Sequence, residues 1–336
     1  MRMIRSLLAL FVLVALLLTL PSCDLLSFLG APSLGDADFT PTVFTEVVKD
    51  NFENAYADQL SPNEKHIFDA VAALSPGELT VKLSFPEVPA ICKGREPTDA
   101  EMDALGNKIS AWTANALYAI WLDHPEIFWI DYSIYSYKYE VKSDATGVVM
   151  LSALSIDFSL PEGITDPVKD AAALAQATKD FSVKGATVAE KVAYINNYLC
   201  ARISYDLDAP NRGNVIGALV GKKCVCEGYA QAFVYLAQKA GIPAVNIPGY
   251  GITEEGTEGH MWSAVRIDGA LFAVDVTWND TSGRNDYLLV GTQTVCGKEP
   301  FAQTHIPDML TLDGPHKPFA LPAVSSLSFA ESPKTK

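Results

Sequence analysis

Apolar residues fall three or four positions apart in several stretches of the chain, and every second position in others. Ile67, Phe68, Val71 and Leu74 make one helical face behind Ser61-Pro62-Asn63-Glu64, a capping box with proline at the first helical position. Met102, Leu105, Ile109, Trp112 and Ala116 make a longer one, capped by Thr98 and Glu101 and ending near His124-Pro125. From Phe128 to Leu160 the period changes to two, with a tyrosine-rich run, a turn at Asp144–Gly147 and a second alternating run. Helices before strands predict a small antiparallel sheet on two helices. The tyrosines read either as a ligand-binding surface or as a half-buried sheet face.

Helical spacing returns after Pro161-Glu162-Gly163. Asp166-Pro167 caps a helix to about Lys179, and Thr187 with Glu190 caps the next, with Val188, Val192, Ile195 and Leu199 inward. Tyr229, Phe233, Leu236 and Ala240 line a third, stopped by Gly241 and Pro243. Asp268-Gly269 is a two-residue hairpin signal. That turn sets Ile267 opposite Ala270 and predicts a second strand running through Val274-Asp275-Val276. His260 and Asp275 then share one face as diagonal neighbours. Asp286 to Val290 reads as the next strand.

These patterns put a thiol, an imidazole and a carboxylate in order along the chain. Cys226 opens the third helix, where unpaired N–H groups and the helix dipole favour a thiolate and can stabilise an oxyanion. His260 is the candidate base and Asp275 its orienting acid. An acid within an apolar strand costs free energy unless it is paired.

The segments Gly221–Phe233 and Glu258–Asp280 resemble the transglutaminase-like superfamily, a branch of papain-like cysteine enzymes, with its pattern G-K-x-x-C-E-G-Y-A-x-A-F, then G-H-x-W-x-x-V, then D-x-T-W. Matched position by position, the resemblance implies Cys226 as nucleophile, His260 as base and Asp275 as orienting acid. His260-Met261-Trp262-Ser263 departs from the family's usual His-Ala-Trp-Asn. The likeness extends upstream through the helix beginning near Thr187 and, over a shorter stretch, to Asp123–Ile130.

The N-terminus changes the picture of where the chain works. Arg2 and Arg5 precede an apolar run from Leu7 to Leu20, too short for a comfortable span and suited to a signal peptide. Leu20-Pro21-Ser22-Cys23 resembles a bacterial lipobox, which makes Cys23 the candidate lipid attachment site. Setting aside Arg2 and Arg5 leaves 23 basic against 40 acidic residues, a net of −17. That balance argues against nucleic acid as a partner.

The chain has 6 cysteines, too few for a disulfide scaffold at this length. Cys224 is expected to be buried or bridged to Cys200 or Cys296; the pairing of Cys92, Cys200, Cys224 and Cys296 stays open. A metal set of Cys224, Cys226 and His305 is the weaker alternative, its C-x-C spacing lacking a second pair, and no metal or cofactor is assigned.

The expected fold class is α+β, with a papain/transglutaminase-like catalytic core and a smaller N-terminal α+β domain. The expected division is signal peptide 1–22, tether 23–45, N-terminal domain 46–162, catalytic domain 163–315 and tail 316–336. The expected function is an exported, lipid-anchored cysteine acyl-transfer enzyme acting on amide bonds of peptides or proteins, a peptidase, amidase or transglutaminase. Its partners would be a peptide or protein substrate and, through the lipid, a membrane. The alternative is a catalytically silent binding or scaffold module at the cell envelope.

Overall fold

The computed structural model describes residues 55–85, 90–308 and 319–332. The export segment, Cys23 and the tether lie outside the described residues. Helix α1 (Pro62–Ala72) and strand β1 (Thr80–Ser84) lead to α2 (Asp99–Asp123), β2 (Tyr135–Ser143) and β3 (Val148–Phe158). Then come α3 (Pro167–Thr178), α4 (Val188–Cys200), α5 (Cys226–Lys239), β4 (Ala244–Thr253), β5 (Gly256–Ile267) and β6 (Ala270–Val274). Helix α6 (Val276–Ser282), β7 (Leu288–Val290) and β8 (His305–Pro307) follow. The fold is α+β.

The helix starts form as their sequences direct. In α1 the Ser61 N–H donates to Glu64 at 2.6 Å, and the other oxygen of that buried carboxylate accepts from Asn115 at 2.6 Å. One capping residue therefore also ties α1 to α2. Thr98 and Glu101 form the same box on α2, as do Thr187 and Glu190 on α4, each worth about 1 kcal/mol. Val188 does not face inward as its spacing predicts. It follows the cap directly and is an exposed side chain, while Val192, Ile195 and Leu199 are buried.

β3 is the centre of the first sheet. It pairs antiparallel with β1, with β2 and with the two-residue strand Cys92–Lys93. The tyrosines of β2 form a half-buried sheet face. Tyr135, Tyr137 and Tyr139 donate their hydroxyls to the carbonyls of Ser110, Gly106 and Met102 on α2. Two residues of strand advance about 6.8 Å and four residues of helix about 6 Å, so alternate tyrosines meet successive helical turns.

The second sheet has the order β7-β6-β5-β4-β8, every pair antiparallel. Ile267 pairs with Ala270 across a two-residue loop in which Asp268 and Gly269 both have positive φ, 51° and 84°. That is the backbone an Asp-Gly hairpin turn requires. Helix α5 packs on β4 and β5.

The last carbonyls of α2 need partners from outside the helix. Gln231 and Gln238 of α5 donate to the carbonyls of Trp121 and Asp123, and Asn246 of β4 donates to that of Leu122. One buried cluster runs from Ala55 to Leu321 across both sheets. The C-terminal segment joins it. Phe319 and Leu321 are buried, Ser325 N–H donates to Leu271 O, and Phe329 N–H to Leu289 O. Gly291 permits this close approach, since a Cβ there would lie 2.4 Å from the Leu327 backbone.

Candidate active site

Cys226 is the first residue of α5 and is half-buried. Its position depends on Gly228, two residues on. A Cβ at Gly228 would lie 2.5 Å from Arg212 O and 2.5 Å from Cys224 Cβ, so only glycine lets both pack against the helix's first turn. Behind the nucleophile candidate, Cys224 is a buried free thiol; Cys92 and Cys296 are also buried and free, and Cys200 is free and half-buried. The bridge considered from Cys224 to Cys200 or Cys296 is not formed. Cys200 instead donates to Val276 O, and Cys296 to Thr294 O.

His260 sits on β5, with the registered pairing Ser263–Val274 just beyond it. Its Nε2 lies 2.8 Å from Asp275 Oδ2, and both side chains are fully buried. Desolvation alone would lower the imidazole pKa. The Asp275 carboxylate, with a smaller contribution from the Cys226 side chain, outweighs it and raises the pKa to about 10. With Nε2 given to Asp275, Nδ1 is the ring nitrogen left for Cys226.

Asp275 is not mid-strand as its apolar neighbours predict. β6 ends at Val274, and Asp275 is the N-cap of α6, its Oδ1 accepting from Trp278 N–H at 3.1 Å. The capping preference of aspartate overrides the strand pattern of its neighbours. Oδ1 holds the helix start while Oδ2 faces the imidazole. Desolvation opposes the charge, yet His260 and His305 hold the carboxyl well below its ordinary range. Asp280, the other acid of this segment, accepts from the Tyr229 hydroxyl instead.

His305 was legible only as a partner for cysteines. The structure gives it to Asp275, with Nε2 3.0 Å from the same Oδ2. Donor atoms of His260, Asp275 and His305 lie within 4.8 Å of one another. Among the described residues no group of three joins His305 to Cys224 and Cys226. Hydrogen bonding accounts for the observed trio, because both Nε2 atoms face the carboxylate. The indoles of Trp262 and Trp278 pack on both imidazoles, at centroid distances from 4.4 to 6.0 Å.

A second group brought here by tertiary structure is Glu227. Its carboxylate accepts from the Trp121 indole N–H at 2.8 Å, which joins the end of α2 to the residue after Cys226. Burial pushes its pKa up to about 7 against the pull of Trp121 and Arg212.

Residues 175–276 match the sequence profile of the Transglutaminase-like superfamily. This segment is a transglutaminase-like superfamily domain. It contains Cys226, His260 and Asp275, and His305 lies beyond it. Kyphoscoliosis peptidase of Mus musculus is 26% identical over 176 residues, covering 47% of this chain and 25% of that protein. The Homo sapiens protein is 27% identical over 144 residues, covering 38% and 22%. The chain thus spans about a quarter of the length of the curated relatives it matches. Among solved structures, a TGase aligns at 13% identity over 41% of this chain and 43% of that one, with a TM-score of 0.29. The periplasmic domain of TgpA from Pseudomonas aeruginosa, bound to ethylmercury, aligns at 18% identity over 46% and 69%, with a TM-score of 0.28. The transglutaminase-like domain here therefore rests on sequence, and the α+β fold on the structure itself.

Proposed function

We propose that this chain is a cysteine acyl-transfer enzyme acting on amide bonds of peptides or proteins. The observation behind it is the buried hydrogen bond between His260 and Asp275, with Cys226 at a helix start and among the groups that raise the His260 pKa. The name peptidase borne by the curated relatives supports the same chemistry. Cys226 attacks the carbonyl carbon as a thiolate, its proton already resting on His260, and the oxyanion is held by the Cys226 backbone N–H. His260 returns the proton to the amide nitrogen, the C–N bond breaks, and a thioester remains. Water then releases an acid, or an amine forms a new amide, and the sulfur regains its proton.

Mass spectrometry after incubation with a peptide library tests this. Shortened or cross-linked peptides, with an acyl group on Cys226, are expected. Cys226 is also expected to outpace the other four described thiols in alkylation near neutral pH. Burial pushes Cys200 and Cys296 up to about 12 and Cys224 higher still. Neither product nor adduct, with Cys226 no faster than Cys200, would instead support the silent binding module.

Export and attachment of lipid at Cys23 belong to the same proposal, supported by the N-terminal sequence. Metabolic labelling with a fatty acid should mark the wild-type chain and not Cys23→Ser, which should leave the membrane fraction. An unlabelled wild type would refute the anchor.

A further inference from the structure

Asp275 is a fully buried carboxylate with three observed donors facing it: His260 Nε2, His305 Nε2 and Trp278 N–H. The two imidazoles meet at one oxygen, Oδ2. His260 must accept a proton if it serves Cys226. The other ring has no such contact, and its surroundings hold it still. Its face stacks on Phe301 at 4.0 Å between centroids and 15° between planes. Trp278 and Trp262 pack edge-on at 4.4 and 5.1 Å.

The tautomer follows from the neighbours. A nitrogen lone pair 3.0 Å from a carboxylate oxygen would be repelled, so Nε2 carries the proton. Nδ1 must then accept, and the Thr304 hydroxyl lies 2.9 Å away. That hydroxyl also has Phe301 O in reach at 3.2 Å, and the nearer imidazole acceptor fits the Nε2–H form. Desolvation, with the charge on His260, lowers the ring's pKa to about 4 against Asp275 and the Phe301 carbonyl, which favour the charged form.

We propose that His305 is a positioning residue of this site: a neutral imidazole whose Nε2–H keeps the Asp275 carboxylate ionised and aimed at His260. The proposal builds on the catalytic roles given above to Cys226, His260 and Asp275. Two charged imidazoles on one buried carboxylate would compete for it. A neutral second ring supplies a hydrogen bond without a second positive charge, so the positive charge on His260 has the carboxylate to itself. Among the described residues, the Tyr287 ring lies 5.6 Å from that of His305, and Cys296 feels the charge of the same Asp275 carboxylate. Burial pushes both up to about 12, so both are neutral through the range of the test.

Two substitutions separate the hydrogen bond from the packing. His305→Phe keeps a flat ring on Phe301 and removes the donor. His305→Gln removes the ring and keeps an amide N–H near the Nε2 position. On the full chain, with the peptide substrate identified by the library, His305→Phe should lower kcat about 10- to 100-fold, the effect of one hydrogen bond to a buried charge. KM should stay within about twofold, and the acid limb of the rate profile should move to higher pH as Asp275 becomes easier to protonate. His305→Gln should restore most of the rate. Imidazole nitrogen NMR of the wild type should show the neutral Nε2–H form from pH 5 to 9, whether or not either variant folds.

A folded His305→Phe with wild-type kcat and pH profile would overturn the proposal, as would an Nδ1–H or charged ring in the wild type. Loss of thermal stability in both variants, with no change in kcat per folded molecule, would reduce His305 to packing. Any of these with Cys226-dependent turnover intact leaves the enzyme and removes only His305's role. Absence of turnover in the wild type would remove the function itself.

Discussion

Cys226→Ala is expected to reduce amide turnover by at least about 10³-fold while the chain still folds. The loss is large because, in the proposed reaction, the sulfur is the atom that bonds to the substrate. The cost to the fold is small for a structural reason. Cys226 is half-buried at the first position of α5, where alanine suits the helix, and the packing behind it is made by Gly228, Cys224 and Arg212. A stability change within about 1 kcal/mol is expected, the usual scale away from a packed core. Turnover and thermal unfolding should be measured on the same preparation. Wild-type turnover would end the assignment of Cys226. A collapse of stability would mean that the thiol is a packing group.

Asp275→Asn is expected to act on both activity and stability. Turnover should fall by several hundredfold or more, yet by less than in His260→Ala, because the acid supports the base and does not itself move the proton. The effect on the fold should be the larger surprise. Asp275 caps α6 through Oδ1 and receives both imidazoles at Oδ2, all fully buried. An amide must turn its NH₂ either towards Trp278 N–H or towards two Nε2 donors. Breaking such a buried charged network costs about 3 kcal/mol.

The pH dependence of that cost has a definite sign. The carboxyl is depressed in the folded chain, so its stabilisation is fully present above the unfolded carboxyl range, near pH 4, and is lost as pH falls. The gap between wild type and Asp275→Asn should be widest between about pH 5 and pH 6.5, narrow in acid as Asp275 is protonated, and narrow again towards pH 10 as His260 loses its proton. Urea midpoints at a series of pH values read it directly. Equal midpoints at pH 7 would show that the carboxylate is not holding this network together.

Much of the architecture was legible because its causes are local. Ser61-Glu64, Thr98-Glu101 and Thr187-Glu190 satisfy helix-end N–H groups within three residues, so each marks its helix wherever the chain goes next. Asp268-Gly269 fixes the hairpin register, and register decides which side chains share a face. The approach of His260 and Asp275 therefore follows from residues a few positions apart. The depth of Asp275's role did not follow. The sequence put it in a strand because valines flank it, whereas its carboxylate bonds the backbone three residues ahead and starts a helix.

Sequence alone determined the order Cys226, His260, Asp275, the helix that Cys226 opens and the turn that aligns the other two. Each depends on periodicity or on a bond between near neighbours. Only the tertiary structure decided what surrounds them. β8 brings His305 to Asp275 by pairing with β4 across more than fifty residues, and no periodic signal at Thr304-His305 announces it. The last turn of α2 brings Trp121 to Glu227 because its carbonyls are satisfied by Gln231, Gln238 and Asn246. The C-terminal segment closes over β6 and β7 by backbone bonds that any residue with an N–H can make. Such contacts depend on distant segments arriving together. Their donors are common polar groups, and only the folded chain fixes which acceptor each one meets.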